Sequence, residues 1–154
     1  LSLLYASFMG YSNARKKTIG LCALLHDIGK TQISDSLLKK PQKLTPDEYN
    51  DMKQHTVRGY KILDHCRFGN TEIKDVALSH HEKLDGSGYP RGTRDISYVG
   101  QVLGIIDCYE ALTNEERPYR KAKSPLDTLK TIKKDVEAGK FDRKIFEKFC
   151  YSLI

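Results

Sequence analysis

Six histidine and aspartate side chains are the groups of this sequence best suited to do chemistry: His26, Asp27, His55, His80, His81 and Asp107. They form two adjacent pairs and two single residues, and each lies beside apolar residues. An ionised carboxylate in an apolar interior is heavily penalised unless a cation or strong hydrogen-bond donors meet it. Imidazole and carboxylate are also the ligands that suit zinc, iron, manganese and similar divalent ions. The six residues therefore predict a metal site.

The two adjacent pairs supply enough donor atoms for two metal ions, with a carboxylate able to bridge them. Two ions roughly 3.5–4 Å apart can activate a water molecule and stabilise both the entering and the leaving oxygen in phosphoester hydrolysis. The alternative is that the histidines are hydrogen-bonded core residues without a metal. That alternative requires the protein alone to satisfy four histidines and two aspartates. His65 lies outside the pattern and has no predicted role.

Helices are predicted to position these side chains, since helix signals are frequent and alternating runs of β-branched residues are absent. The apolar residues from Ile19 to Ile28 indicate a helix that carries the His26-Asp27 pair, with Gly29 as its C-terminal cap. A capping box with proline at the first helical position, at residues 45–48, opens the helix that carries His55.

The remaining chain continues the helical pattern with one interruption. A helix beginning near Thr71 leads to His80, and the glycines and prolines of residues 83–97 then predict a loop. A strongly apolar helix leads into Asp107. Two more helices follow, one that starts at Ser124 and Pro125 and one capped by Asp142. The pattern predicts an all-α fold, a single helical domain of six to seven helices around one core.

Composition limits the classes of protein to consider. The 154 residues fit one domain, and 39% hydrophobic with 30% charged residues is typical of a globular protein. Nothing at the N-terminus resembles a signal peptide, and no apolar run approaches the ~20 residues that a membrane span needs. The four cysteines form no CxxC pair and are interpreted as buried, reduced thiols of a cytoplasmic protein.

The chain carries a formal net charge of +6, with basic residues concentrated at 117–123 and 130–148. Such runs are usually solvated helix faces, but clustered charge also raises the local concentration of an anionic ligand. No base-stacking aromatic pattern or nucleic-acid-binding module accompanies them. We therefore expect no nucleic-acid partner and no membrane contact by this domain.

Three motifs occur in a fixed order: LLHDIGK at 24–30, SHHEKLDGSGYP at 79–90 and IIDCYEALTNEERPYR at 105–120, with His55 between the first two. In this order and spacing the chain resembles the HD-GYP family, a branch of the HD metal-dependent phosphohydrolases associated with cyclic di-GMP. The resemblance covers roughly residues 26–120. It implies that the chain is an HD-GYP domain over residues 1–154 that lacks its first helix. It also implies that this domain is the C-terminal output part of a longer bacterial signalling protein.

The resemblance also assigns roles. It makes the six histidines and aspartates above the metal ligands of two divalent ions, with a third ion in some members. Iron or manganese is expected, and zinc is the alternative. His26, Asp27 and Lys30 become catalytic residues, and Lys30 also contacts a substrate phosphate, although a lysine at a helix C-terminus equally stabilises the helix dipole. Arg117 and Arg120 match a basic pair that faces the phosphates, the alternative being a surface ion pair with residues 115–116.

The loop that contains Gly88, Tyr89 and Pro90 is implied to shape the substrate site, with Tyr89 stacking on or hydrogen-bonding to the ligand. The same loop is a hypothetical contact for diguanylate cyclase (GGDEF) domains, and an N-terminal sensory or receiver domain is the expected input. One departure from the family matters. Its further histidine ligand, and the glutamate of some members, would precede Leu1, and residues 1–15 contain no histidine.

The implied activity is metal-dependent hydrolysis of cyclic di-GMP to pGpG or GMP. One alternative is a catalytically weak, metal-bound receptor for the cyclic dinucleotide, which the absent upstream ligand favours. Another is an HD phosphohydrolase acting on a different cyclic or linear nucleotide. The intact motifs argue against the receptor, and the GSGYP loop favours a cyclic substrate.

Overall fold

A computed structural model describes residues 1–67, 69–114 and 122–154. Within these ranges the chain is all-α, as predicted, and no strand is present. Nine α-helices and one 3-10 helix follow one another: α1 (Ser2–Phe8), α2 (Asn13–Leu25), the 3-10 helix (Ile28–Gln32), α3 (Asp35–Leu38), α4 (Pro46–Lys53), α5 (His55–His65), α6 (Thr71–Ser79), α7 (Tyr98–Thr113), α8 (Pro125–Glu137) and α9 (Arg143–Ser152).

The helix starts follow the local capping signals. Thr45 accepts a hydrogen bond from the backbone N–H of Glu48, whose side chain bonds back to the N–H of Thr45, and this completes the predicted capping box. Ser124 and Asp142 cap α8 and α9 in the same way, each accepting from a backbone N–H of the first turn. The predicted loop at residues 83–97 contains no helix.

The structure contains more helices than the six to seven predicted. Gln54 separates α4 from α5, so the predicted helix through His55 is two helices. The four-residue α3 and the N-terminal α1 have no clear apolar period in the sequence.

The predicted end of the second helix was wrong. α2 ends at Leu25, and His26 is its C-cap in a right-handed conformation, so Gly29 is not a cap. Gly29 is instead the buried residue of the 3-10 helix.

The core is organised around α7, the most apolar helix. Its buried face packs against α6, α8 and α9, while α2 packs between α1 and α6. α5 contacts both α6 and the 3-10 helix. The ends of α2 and α6 and the start of α5 are therefore brought together beside the middle of α7, where Asp107 lies.

Two other expectations concern the thiols and the membrane. The four cysteines form no disulfide, but only Cys22 is buried, Cys108 and Cys150 are half-buried, and Cys66 is exposed, so burial of all four was a wrong expectation. Among the described residues, no helix combines the length and apolarity required to cross a membrane.

Candidate metal centre

Three of the predicted ligands are histidines held by the carbonyl groups of a preceding helical turn. The Nδ1 atom of His26 lies 2.8 Å from the carbonyl oxygen of Ala23, at the end of α2. His55 makes the equivalent contact at 2.7 Å with the carbonyl oxygen of Met52, near the end of α4. The Nδ1 atom of His80 lies 3.1 Å from two carbonyl oxygens of α6. Carbonyl oxygens only accept, so each Nδ1 atom donates its proton.

This arrangement turns the Nε2 atoms of His55 and His80 into lone-pair acceptors that face each other. The two atoms are 3.4 Å apart. Burial lowers the pKa of His80 to about 4 and also lowers the pKa of His55, so both rings are neutral at pH 7. Two neutral acceptors at this distance cannot hydrogen-bond to each other. A cation between them would satisfy both.

Asp27 adds a carboxylate to the same point. Its Oδ1 atom lies 3.3 Å from Nε2 of His55 and 3.8 Å from Nε2 of His80. That oxygen is buried and accepts no hydrogen bond from any residue that the structure describes. A buried carboxylate oxygen without a hydrogen-bond donor is costly. A metal ion would satisfy this oxygen together with the Nε2 acceptors of His55 and His80. The residues present therefore fit a divalent cation.

Asp107 and the remaining two histidines complete the cluster. The Oδ1 atom of Asp107 lies 3.8 Å from Nε2 of His26, and its Oδ2 atom lies 3.7 Å from Nδ1 of His81. Potential ligand atoms fall into two groups, each within 4.8 Å: one from Asp27, His55, His80 and His81, the other from His26, Asp27 and Asp107. Both groups contain Asp27, so one carboxylate adjoins two candidate ion positions. All six predicted ligands are thus brought together.

The charges around Asp107 also favour a cation. Burial opposes the charged form of His26, but Asp107 and Asp27 outweigh it and raise the pKa of His26. Burial likewise opposes ionisation of Asp107, yet the adjacent imidazoles hold its pKa well below the usual range. Burial lowers the pKa of His81 to about 2. At neutral pH both carboxylates are ionised and the imidazoles of His55, His80 and His81 are neutral, the states in which these groups bind metals.

Close backbone packing at Gly29 sets the position of the His26-Asp27 pair relative to His55. A Cβ atom added at Gly29 would lie 1.9 Å from the carbonyl oxygen of His55 and 2.4 Å from the backbone nitrogen of Gly59. The missing side chain of Gly29 therefore lets the 3-10 helix approach α5, and this approach sets the distance between Asp27 and His55. The glycine of the HDIGK motif serves packing rather than a helix cap.

The loop after His81 lies over the cluster. The Tyr89 ring stacks on the His81 ring, with centroids 4.6 Å apart and an interplanar angle of 30°. Glu82 is 3% exposed, and its carboxylate accepts the backbone N–H groups of Arg91 at 2.7 Å and Thr93 at 3.1 Å. Sequence reasoning assigned no role to Glu82. Its position next to the two histidines was the available signal, but the contact spans nine to eleven residues and no local pattern encodes it.

The predicted substrate residues lie close to the cluster where the structure describes them. The Nζ atom of Lys30 is 2.5 Å from Oδ2 of Asp27. A Cβ atom at Gly88 would lie 2.4 Å from the Cα atom of Glu82, so the loop needs glycine there. Pro90 follows Tyr89 through a cis peptide bond. Arg117 and Arg120 lie outside the described residues. The roles of all these residues stay predictions.

Two cavities of the described residues are of the size of a small-molecule site. A groove of about 860 Å³ near α3 and α4 contains no histidine, and its Lys39 and Lys40 are paired with carboxylates. A pocket of about 410 Å³ is lined by His81, Tyr89 and Asp107 and therefore adjoins the metal cluster. Ligand sites of this kind occupy about 300–1,000 Å³ and have convergent polar groups. The smaller pocket is the candidate substrate site.

The chain is similar to several known phosphodiesterases of cyclic dinucleotides. A cyclic di-GMP phosphodiesterase of Thermotoga maritima is 42% identical over 79% of this chain and 33% of its own length. A 3'3'-cGAMP-specific phosphodiesterase of Vibrio cholerae is 34% identical over 92% of this chain and 33% of its own length. A cyclic di-GMP phosphodiesterase response regulator of Xanthomonas campestris is 40% identical over 77% of this chain and 32% of its own length. The chain spans about a third of these curated relatives.

The profile of the HD domain family matches residues 2–145, which include all six clustered histidines and aspartates. This match agrees with the HD-GYP resemblance of the sequence motifs, and with a cluster able to hold a divalent metal ion. The chain belongs to the HD domain family.

Proposed function

We propose that this domain is a metal-dependent phosphodiesterase that hydrolyses cyclic di-GMP to pGpG or GMP. The observation that carries the proposal is the pair of ligand groups that share Asp27. A shared carboxylate is suited to two ions at the separation used in phosphoester hydrolysis. The names of the relatives from Thermotoga maritima and Xanthomonas campestris support the same reaction and substrate.

In this proposal two ions, iron or manganese with zinc as the alternative, activate water and stabilise the charge that develops on the phosphate. The chain supplies the six ligands, and burial keeps the imidazoles of His55, His80 and His81 neutral. Lys30 contributes a positive charge next to Asp27, close enough to contact a phosphate at the cluster. Arg117 and Arg120 are proposed to orient the phosphates through their guanidinium groups.

The loop that carries Tyr89 is proposed to cover the substrate and to exclude water. Two observations support this role. Glu82 accepts hydrogen bonds from two backbone N–H groups of the loop, and Tyr89 stacks on His81. We also propose this loop as the contact for diguanylate cyclase (GGDEF) domains. An N-terminal sensory or receiver domain and a cytoplasmic location belong to the same proposal, which the response regulator among the relatives supports.

A second substrate has support of its own. The Vibrio cholerae relative is named for 3'3'-cGAMP, and it is similar to this chain over 92% of the chain. The two cyclic dinucleotides share the phosphodiester ring and differ in one base. The metal cluster cannot distinguish them, so the choice between them depends on the groups that contact the bases.

The test is to purify the full-length protein anaerobically, measure its bound metals, and incubate it with cyclic di-GMP and with 3'3'-cGAMP. We expect about two ions per chain and release of linear products. His26→Ala and Asp107→Ala should abolish turnover. His65→Ala is the matched control, because His65 is exposed at the end of α5 and lies outside both ligand groups.

Each of the other outcomes has a distinct meaning. Binding of a cyclic dinucleotide without products would replace the enzyme by a receptor. Preference for 3'3'-cGAMP would change the substrate and keep the reaction. Absence of metal from the native protein would remove the basis of the proposal.

A further inference from the structure

The pocket beside the metal cluster contains a lysine to which no role has been assigned. Lys83 lines the pocket together with His81, Asp107, Lys140 and Phe141. Lys83 follows His81 by two residues, so the chain passes directly from a predicted metal ligand into the pocket wall. A ligand with one group at the cluster would therefore extend toward Lys83.

The ammonium group of Lys83 has an incomplete set of partners. Its Nζ atom lies 3.9 Å from the centroid of the Phe141 ring, a cation–π contact. The Nζ atom of Lys83 makes no ion pair within 4.0 Å and no hydrogen bond with any of the residues at 1–67, 69–114 and 122–154. An ammonium carries three N–H donors, and an aromatic ring face does not satisfy them.

Lys140 lines the same pocket but, unlike Lys83, has a hydrogen-bond acceptor for its ammonium group. Its Nζ atom donates to Oδ1 of Asp135 at 2.8 Å, so its charge already has a carboxylate partner. Lys83 is half-buried, and although the charges of Asp107 and Asp135 attract its ammonium group, no carboxylate of the described residues lies within 4.0 Å of its Nζ atom. If Lys83 served packing alone, an apolar side chain of similar length would fill the space without burying a charge. A half-buried ammonium group that lines the pocket and lacks an acceptor for its N–H groups among the described residues therefore indicates an anionic ligand.

We propose that Lys83 binds the second phosphate of the cyclic dinucleotide, the one that is not hydrolysed while the first lies at the metal cluster. This inference rests on the proposed function for the identity of the ligand. The geometry that supports it is independent of the metal: an ammonium group with no hydrogen-bond acceptor among the described residues, in a pocket of about 410 Å³ whose wall includes His81 and Asp107. Lys83 thus selects for a substrate with two phosphates.

The test compares two substrates that differ in their number of phosphates. Cyclic di-GMP has two, and bis(p-nitrophenyl) phosphate has one. For Lys83→Gln we expect KM for cyclic di-GMP to rise about 10- to 100-fold, the usual effect of removing one hydrogen bond to a charged group, with kcat within about twofold. The kcat/KM for bis(p-nitrophenyl) phosphate should not change. Lys83→Arg should restore most of the lost affinity.

Lys130→Gln is the matched control, because Lys130 is an exposed lysine of α8 and its loss changes the net charge equally. Thermal unfolding of each variant separates binding from folding. A lower Tm for Lys83→Gln with an unchanged KM would mean that the ammonium only packs on Phe141, and would overturn the inference. An equal loss of activity on both substrates would also overturn it.

Equilibrium binding separates this inference from the proposed function. If the wild-type protein binds cyclic di-GMP without hydrolysing it, the phosphodiesterase proposal fails. The same titration then still tests Lys83: a Kd at least tenfold weaker for Lys83→Gln supports it, and an equal Kd refutes it. No binding of cyclic di-GMP by the wild-type protein would refute both.

Discussion

Replacing Gly29 by alanine should disrupt the metal centre without removing any ligand. The new Cβ atom would lie 1.9 Å from the carbonyl oxygen of His55 and 2.4 Å from the backbone nitrogen of Gly59. Both contacts are far below the roughly 3.5–4.0 Å at which carbon atoms pack. Both also involve backbone, so no side-chain rotation can relieve them. The 3-10 helix and α5 must separate by more than about 1 Å.

This separation should lower both the free energy of unfolding and the affinity for metal. Overpacking of a core costs about 1–3 kcal/mol, and we expect the upper end here because two backbones must move. For a chain of this size about 3 kcal/mol corresponds to a Tm lower by roughly 6–12 °C. The shift would also lengthen the 3.3 Å separation between Asp27 Oδ1 and His55 Nε2. Metal ligation tolerates errors of only about 0.2 Å, so metal affinity should fall at least tenfold.

The assay is metal content after dialysis against a graded series of chelator concentrations, with differential scanning calorimetry on the same samples. Gly69→Ala is the control, because nothing lies within 4 Å of a Cβ atom there. We expect the control to match the wild type within about 0.5 kcal/mol. Full metal content together with an unchanged Tm in Gly29→Ala would refute the argument that backbone contact sets the ligand distance.

Three further predictions follow from the structure. Glu82→Ala should remove the buried carboxylate that accepts from the N–H groups of Arg91 and Thr93 and destabilise the protein by about 2–4 kcal/mol, whereas Glu82→Gln should cost less. Urea unfolding and amide exchange of the loop measure both effects, and equal protection in all three proteins would contradict the role of Glu82. Removal of metal by a chelator should lower the free energy of unfolding by about 2.7 kcal/mol for each bound ion, relative to protein with free metal at a hundred times Kd, and reloading should restore it; an unchanged Tm would argue against binding at the cluster. Cys66 should react with Ellman's reagent in the native protein while Cys22, whose pKa burial raises to about 12, should react only after denaturation; rapid native labelling of Cys22 would contradict its burial.

The sequence was informative wherever the signal was local. Capping residues predicted the starts of α4, α8 and α9, because an N-cap side chain bonds to backbone only two or three residues away. The six clustered residues could be identified because buried carboxylates and imidazoles are costly wherever they occur in an apolar helix. Both inferences need residue types and spacing, and no knowledge of the tertiary fold.

Features that depend on contact between distant segments were missed. Gly29 was interpreted as a cap, yet its role follows from the approach of α5, which local spacing does not reveal. The contacts from Glu82 to Arg91 and Thr93 and the cation–π contact of Lys83 with Phe141 are likewise set by how the loop folds back. The additional helices, including α1 and α3, owe their existence to packing rather than to a strong apolar period.

The helix-end carbonyl groups that hold His26, His55 and His80 have a consequence for the speed and selectivity of ion uptake. Ordering a free side chain on binding costs about 0.5–1.5 kcal/mol, and here folding has already fixed three imidazoles. An arriving ion meets a rigid frame and needs no search of side-chain rotamers. Uptake should then be limited by how fast the ion sheds its own water. Ions whose preferred geometry differs from the frame are disfavoured, because the frame cannot relax around them.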